Sequence, residues 1–261
     1  VTRLRIRALE AAGRSEEARS RLAELRRERP DDPALVALQI DQQLARGAEP
    51  GDPALVDRAL DTSPGEAARA DHGLRVALAL IGWERSRTGA AILDRVPLPE
   101  GCRTQWLRTA AGAYYQAGRL ESAERLYREV LGCSPDNHGA LNDLCYLLAD
   151  EKGQVEAALP LCRRAVDLQP EEPSYLDSLG WALHLSGRSE EALPLLQRAV
   201  SASQEGARGE IREHLGDVYA ALGRKERAVA EGRAALALGS PDRARLREKI
   251  QQLLDTERQE R

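Results

Sequence analysis

Apolar residues return along this chain at i, i+3, i+4 and i+7 in one segment after another, and a single glycine separates the members of each pair of segments. The clearest pair runs from Thr104 to Pro135. Trp106, Leu107, Ala110, Ala111 and Tyr114 stand before Gly118, and Ala123, Tyr127 and Val130 follow it. That period puts the apolar set on one face of each helix. Ala111 and Ala123 fall where two antiparallel helices cross, small enough for close backbone approach while larger neighbours fill the groove. The order returns as Leu144, Cys145 and Leu148 before Gly153, with Ala158, Cys162, Ala165 and Pro170 after it. It returns again as Leu179, Gly180 and Leu183 before Gly187 and Ala192, Leu196 and Ala199 after it, then as Leu215, Gly216 and Tyr219 before Gly223 and Ala228 and Ala235 after it. The four turn glycines lie 35, 34 and 36 residues apart. A period near ~34 residues is the signature of stacked hairpins, each burying its apolar face against its neighbours.

Upstream, Gly13, Ala18, Leu22, Leu25 and Pro30 keep this register for one hairpin, and Gly47 lies 34 residues after Gly13. Between about 51 and 100 the pattern degenerates. Pro53 to Asp61, Glu66 to Ile81 and Arg85 to Val96 each read as a helix, joined by Ser-Pro-Gly and Gly-Trp breaks. The tail from Pro241 to Arg258 places Leu246, Ile250, Leu253 and Leu254 on one stripe with charge elsewhere, which predicts a polar-backed cap. The expected organisation is therefore N-terminal hairpins over 1–50, degenerate hairpins over 51–100, four well-formed hairpins over 101–240 and a capping helix over 241–261.

Leu176, Leu179, Gly180, Leu183, Ala192, Leu196 and Ala199 carry most fully a resemblance to the tetratricopeptide repeat, with its pattern W-x2-L-G-x2-Y…A-x3-F…P. The stretch from Leu141 to Ser240 looks like the C-terminal repeats of bacterial proteins of that family, a number of which work in the cell envelope. The resemblance implies an all-α, right-handed α-solenoid of about seven hairpins plus a cap, acting as a protein-interaction scaffold. Two departures stand out. Gly232 occupies an aromatic position and Gln204 the place of a closing proline, and the Ser201–Gly209 linker is rich in Ser, Gly and Glu. Loose packing is expected in the last two hairpins.

Charge removes several function classes. A net charge of −4 over 261 residues gives no global field towards phosphate backbones or anionic membranes. An acidic groove adds to the case against a helical-repeat RNA binder, and nucleic acid is not an expected partner. No apolar run approaches the ~18 residues of a membrane span, so direct membrane insertion is not expected either. Met and Phe are absent, and of 38 basic residues only Lys152, Lys225 and Lys249 are lysine, a bias that fits high-GC coding. Val1 stands inside the first helix of a hairpin turning at Gly13, so the sequence reads as a piece of a longer protein.

The chemistry of the side chains points to binding. No G-x-S-x-G, phosphate loop, H-E-x-x-H or C-x2-C occurs. Neither catalysis, a metal nor a cofactor is expected, and the singly placed histidines, including His214 between Glu213 and Asp217, read as solvent-facing. Aligning the four good hairpins turns Arg108, Gly112, Tyr115 and Gln116 onto the inner face of their first helices. Asn142, Tyr146 and Asp150 follow, then Asp177, Trp181 and His184, then Glu213 and Asp217. Tyr115, Tyr146 and Trp181 would form an aromatic ladder of the kind that anchors hot spots, and the acids would favour a basic or apolar peptide segment. Paired Lys and Asn, which grip C-terminal carboxylates in one subgroup of the resembling family, are missing. Six arginines of the N-terminal hairpin, Arg14, Arg19, Arg21, Arg26, Arg27 and Arg29, interleave with Glu16, Glu17, Glu24 and Glu28 and read as a solvated, ion-paired face, with a basic docking patch as the alternative.

Each cysteine pair is symmetric about a turn. Cys102 and Cys133 flank Gly118 and make a feasible bridge at the open end of their hairpin, whereas Cys145 and Cys162 flank Gly153 at core positions and are expected as reduced, small apolar residues. Oxidised pairs would favour an envelope location over the cytoplasm. The reading is a non-catalytic scaffold or adaptor. Its alternative is a regulatory or assembly segment of a longer bacterial enzyme or envelope or secretion component.

Overall fold

The computed structural model describes residues 2–30, 32–47, 57, 60, 66–98, 101–203, 209–239 and 243–259. Among these residues the chain is all-α, and it divides into two compact units, Val1–Val130 and Leu131–Arg261. The first unit holds α1 (Thr2–Ala11), α2 (Ser15–Glu28), α3 (Pro33–Ala45), α4 (Glu66–Ile81), α5 (Ser86–Leu93), α6 (Thr104–Gln116) and most of α7 (Leu120–Cys133). The second holds α8 (His138–Tyr146), a π-helical turn (Leu147–Glu151), α9 (Val155–Leu168), α10 (Pro173–Leu185), α11 (Ser189–Ala202), α12 (Gly209–Ala221), α13 (Lys225–Ala237) and α14 (Arg243–Gln259). Most of the helix expected over Pro53–Asp61 and most of the Ser201–Gly209 linker lie outside the described residues. No described helix is long and apolar enough to cross a membrane.

The turn glycines are the joints of the hairpins. At Gly187 the backbone enters the left-handed region, φ 80°. Its N–H bonds the His184 carbonyl and the Arg188 N–H bonds the Leu183 carbonyl, both at 2.9 Å, the paired bonds of a Schellman cap. The same pair of bonds closes α6 at Gly118 and α12 at Gly223. Between α4 and α5 the left-handed position falls on Glu84, φ 64°, rather than on either residue of the expected Gly-Trp break.

The spacing of the turns also has a structural cause. Gly153 comes 35 residues after Gly118 because α8 runs on into the π-helical turn, which absorbs one extra residue. Gln154 N–H then reaches back six positions to the Leu148 carbonyl at 2.7 Å. Pro160 and Pro194, one repeat apart, sit inside α9 and α11 on exposed positions, where each removes one helical N–H without leaving a buried group unpaired.

Packing follows the small-on-large rule read from the sequence. A Cβ on Gly180 would lie 2.7 Å from the fully buried Leu196 side chain, so α10 and α11 touch through that glycine. Leu176, Ala199 and Ile211, flanked by Val166, Leu195 and Val200, join one hairpin to the next. The loose packing expected around Gly232 is not found. A Cβ there would meet Ile250 at 2.9 Å, because α14 inserts Ile250 and Leu246 into the space an aromatic would take, in a cluster with Val229 and Ala235. The cap supplies from another helix what the repeat lacks.

Gly89 gives a stability test in the first unit. A Cβ there would lie 2.5 Å from Ile81 and, less avoidably, 2.9 Å from the Ala77 carbonyl oxygen. Gly89→Ala is expected to destabilise this unit by roughly 1–3 kcal/mol through overpacking. Gly132→Ala, whose new methyl meets nothing within 4 Å, should be neutral or slightly stabilising. Thermal unfolding followed by circular dichroism checks both, and equal melting temperatures for the two variants would contradict the crossing geometry.

Candidate functional site

In the second unit the first helices α8, α10 and α12 lie side by side, so polar residues one repeat apart become neighbours. They do not stand open to water as separate groups. Trp181 Nε1 donates to Asp150 Oδ1 at 2.7 Å, and its ring stacks on His214 with centroids 4.2 Å apart and planes 13° apart. His214 Nδ1 in turn donates to Asp177 Oδ1 at 2.9 Å. His184 lies 5.2 Å from the Trp181 centroid and hydrogen-bonds Ser189 Oγ. Tyr146 donates to Glu210 Oε1 at 2.9 Å. Asp150, Trp181, His214 and Asp177 thus form one continuous chain across three elements.

Burial corrects three expectations. His214, Asp177 and Glu213 are only 7%, 6% and 7% exposed, so His214 is an internal group and not a solvent-facing one. Trp181 and Tyr146 are half-buried, held by their partners, rather than rungs of an exposed ladder. Glu213 and Asp217 are ion-paired with Arg245, at 2.5 Å, and Lys249 of α14. The acidity expected of the C-terminal half is therefore neutralised by the cap, and Asp150 and Glu210 remain as the exposed acids of this face. Asn142 is half-buried, with its Oδ1 buried and unpartnered.

The two histidines differ electrostatically. Burial opposes charge on His214, but the Asp177 carboxylate, the hydrogen bond to it, and the charges of Glu210 and Asp150 outweigh burial and raise the imidazole above its ordinary value. For His184 burial dominates, with Lys249 and His214 acting the same way and Asp217 against, so its pKa falls.

Arg108, Gly112, Tyr115 and Gln116 belong to the first unit. Arg108, Gly112 and Tyr115 are half-buried on α6, Arg108 and Tyr115 both with partners, and Gln116 is exposed at the end of that helix. Nearby, Tyr114 donates to Asp94 at 3.1 Å; burial first, and then Asp94, pushes its phenol up. Sequence reading missed a buried carboxylate paired with a half-buried arginine in this unit. Asp41, fully buried on α3, accepts from Arg85 Nε at 3.0 Å.

Cys145 and Cys162 are bonded to each other, with Cα atoms 5.4 Å apart. The expectation of reduced thiols fails for a geometric reason. Small residues at a helix crossing bring Cα atoms to the separation a disulfide spans. Cys102 and Cys133, both exposed, are disulfide-bonded as well, and no cysteine is free.

The comparisons agree with this architecture. Tetratricopeptide-repeat family models match residues 154–238, 105–134 and 1–24, together more than half of the chain. A TPR repeat-containing protein of Pseudomonas aeruginosa is 36% identical over 98 residues, which is 38% of this chain and 16% of that protein. The chain thus spans a small part of the relative's length. Among solved structures, a thermophilic TPR protein of Thermus thermophilus is similar at 21% identity, covering 71% of this chain and 98% of that one with a TM-score of 0.58. MamA of Desulfovibrio magneticus is similar at 18% identity, covering 67% and 97% with a TM-score of 0.53. Glycine-closed hairpins, small-on-large crossings and family matches all fall in one register, and the chain belongs to the tetratricopeptide-repeat family.

Proposed function

We propose that this protein is a non-catalytic interaction scaffold whose second unit binds a partner peptide along α8, α10 and α12. One observation carries the reading. The Asp150–Trp181–His214–Asp177 chain and the Tyr146–Glu210 pair fix polar and aromatic side chains on adjacent first helices before any partner arrives. Preorganised rings and carboxylates bind without the entropy cost of ordering mobile ones. Asp150 and Glu210 are the acids the cap leaves exposed, beside the half-buried rings of Trp181 and Tyr146, so the segment that fits is basic or apolar.

Affinity co-purification from the native host, comparing the wild-type chain with a folded Tyr146→Ala/Trp181→Ala variant, tests the surface. Loss of the partner in the variant, with affinity for a Lys-containing peptide falling roughly tenfold or more as hot-spot residues require, is the expected result. A partner held equally by both proteins would place the interface elsewhere. Preference of this face for an acidic peptide would overturn the charge assignment.

A second reading is an assembly segment of a longer envelope or secretion component. It draws support from the cysteines, all of them disulfide-bonded, since such bonds persist in oxidising compartments. It draws further support from the larger size of the Pseudomonas relative.

A further inference from the structure

On the second unit's face, the exposed acids are joined to a buried titratable ring. Trp181 stands between them: its indole N–H is held by Asp150 Oδ1, and its ring lies against the His214 imidazole with centroids 4.2 Å apart. Asp150 is exposed and His214 is buried, so one cluster has a solvent-facing and an internal member, one indole apart. Glu210, the other exposed acid, stands one helical turn before His214 on α12 and accepts from the Tyr146 hydroxyl of α8. Both acids act on the ring, each strengthening the hold of His214 on its proton.

The other charges around His214 are already matched. Asp177 of α10 accepts from the ring and is itself buried. Glu213 and Asp217, on the same helix as His214, are ion-paired with Arg245 and Lys249 of α14. His184 of α10 lies on the far side of Trp181, and its lowered pKa leaves it mostly neutral at pH 6.5 and above. On α11 and α13, which also pack on α12, Arg198 is held by Glu171 and Glu231 by Arg212. The partners of Asp150 and Glu210 are instead neutral donors, an indole N–H and a phenol O–H, which leave the carboxylate charge in place for an occupant to cancel.

We infer that the α8–α10–α12 face is a proton-coupled site: a basic segment that takes Asp150 and Glu210 drives the His214 proton into solvent, and that proton opposes the basic segment. The coupling rests on the reading of this face as a site for a basic peptide segment and adds its regulation. A cation at either carboxylate cancels part of the field that holds the imidazolium. Coupling between two binding events is reciprocal, so a ligand that weakens proton binding is weakened by the proton to the same degree. The raised pKa keeps the ring more than half charged at pH 6.5, so there is a proton to lose. As pH rises through the folded value the face gains one negative charge and binds a basic segment more tightly; acidification releases it.

Fluorescence anisotropy of hexalysine labelled at its N-terminus tests it with the full chain, at constant ionic strength from about pH 6 to about pH 8.5, where lysine stays charged. Wild-type affinity is expected to rise about fivefold across that range, the lower end of coupling between sites, while His214→Gln binds without this rise. Loss of the Asp177–His214 stabilisation over the same range lowers the stability of the unit, so a failing fold cannot imitate tighter binding. Calorimetry at neutral pH in two buffers of different protonation enthalpy should show proton release when wild type binds hexalysine, and none for His214→Gln. Without peptide, the His214 imidazole followed by NMR should titrate at lower pH in Asp150→Asn/Glu210→Gln, whose side chains still accept from Trp181 and Tyr146 but carry no charge. A wild-type affinity that changes by less than about twofold, or falls as pH rises, overturns the coupling and leaves the face as a peptide site. Absence of hexalysine binding at every pH overturns the coupling together with the reading it rests on. An unmoved His214 titration in the double variant overturns the coupling whatever the peptide does.

Discussion

A chain in which Cys145 and Cys162 are both replaced by Ala will lose roughly 3 kcal/mol from its second unit in oxidising buffer, the chain-entropy value for a loop of this size. The bond links α8 to α9 across a sequence separation of 17. It restrains the unfolded chain where the π-helical turn makes the hairpin least regular. Replacement by Ala suits position 145, where the repeat wants a small residue; at position 162 it deletes one buried sulfur, a packing loss that persists whether or not the bond can form. The two terms are therefore separated by melting wild type and variant with and without reductant. The expected difference is on the order of 10 °C under oxidising conditions, shrinking when reductant opens the wild-type bond. Reductant also opens the bonds at Cys102 and Cys133, so the double variant rather than reduction alone isolates this one. Melting temperatures within about 2 °C of each other in oxidising buffer, less than 1 kcal/mol, would mean that the bond contributes nothing.

Much of the fold was legible because repeat proteins write their contacts locally. Gly118, Gly187 and Gly223 announce the turns since few other residues adopt a positive φ at low cost. Ala111, Gly180 and Ala192 announce the crossings since only small side chains fit between close backbones. The features that escaped have causes no periodicity contains. Glu84 takes a left-handed conformation that propensity assigns to glycine, and tertiary packing of α4 on α5 overrides that propensity. The extra residue before Gly153 shows in the sequence as a spacing of 35, yet nothing in it says that a π-helical turn rather than a longer loop absorbs the surplus. Gly232 looked like a hole because the pattern compares a hairpin with other hairpins, and Ile250, which fills it, belongs to the cap.

The candidate face was legible in position but not in state. Aligning first helices gathers Asn142, Tyr146, Asp177, Trp181, Glu213 and Asp217, and in the second unit these do sit on adjacent helices. Their pairing escaped because each hydrogen bond joins residues about one repeat apart: Trp181 to Asp150 at 31, His214 to Asp177 at 37, Glu213 to Arg245 and Asp217 to Lys249 at 32. A search for complementary polar residues at separations of one repeat, cap included, would have found them. Side chains that seemed aimed at a ligand are thereby shown to hold one hairpin against the next, so the groups assigned to the proposed recognition face also carry stability.

The Asp177–His214 contact between adjacent hairpins is sensitive to pH. The folded imidazole has a raised pKa, so the pair's stabilisation is fully present below the unfolded value near 6.5 and is lost as pH rises through the higher folded value. His184 acts in the other sense. Its lowered pKa weakens the fold only as pH falls below the same reference, so the window above pH 6.5 belongs to His214. The groups facing His214 are Asp177 and Trp181 on α10, Glu210 on its own helix and Asp150 at the π-helical turn, with His184 and Lys249 further along the row. The wild-type second unit should therefore melt at progressively lower temperature as pH rises above 6.5, before any general alkaline unfolding. Asp177→Asn keeps the shape and removes the charge. It should cost about 3 kcal/mol or more below pH 6.5, where it strands a buried imidazolium, and distinctly less in alkaline buffer, where the ring is neutral. His214→Gln should abolish the slope altogether. Calorimetric melting of the three proteins across this range decides the matter: parallel pH profiles for wild type and His214→Gln would show that the pair is not charged, and Asp177→Asn would then be equally costly at every pH.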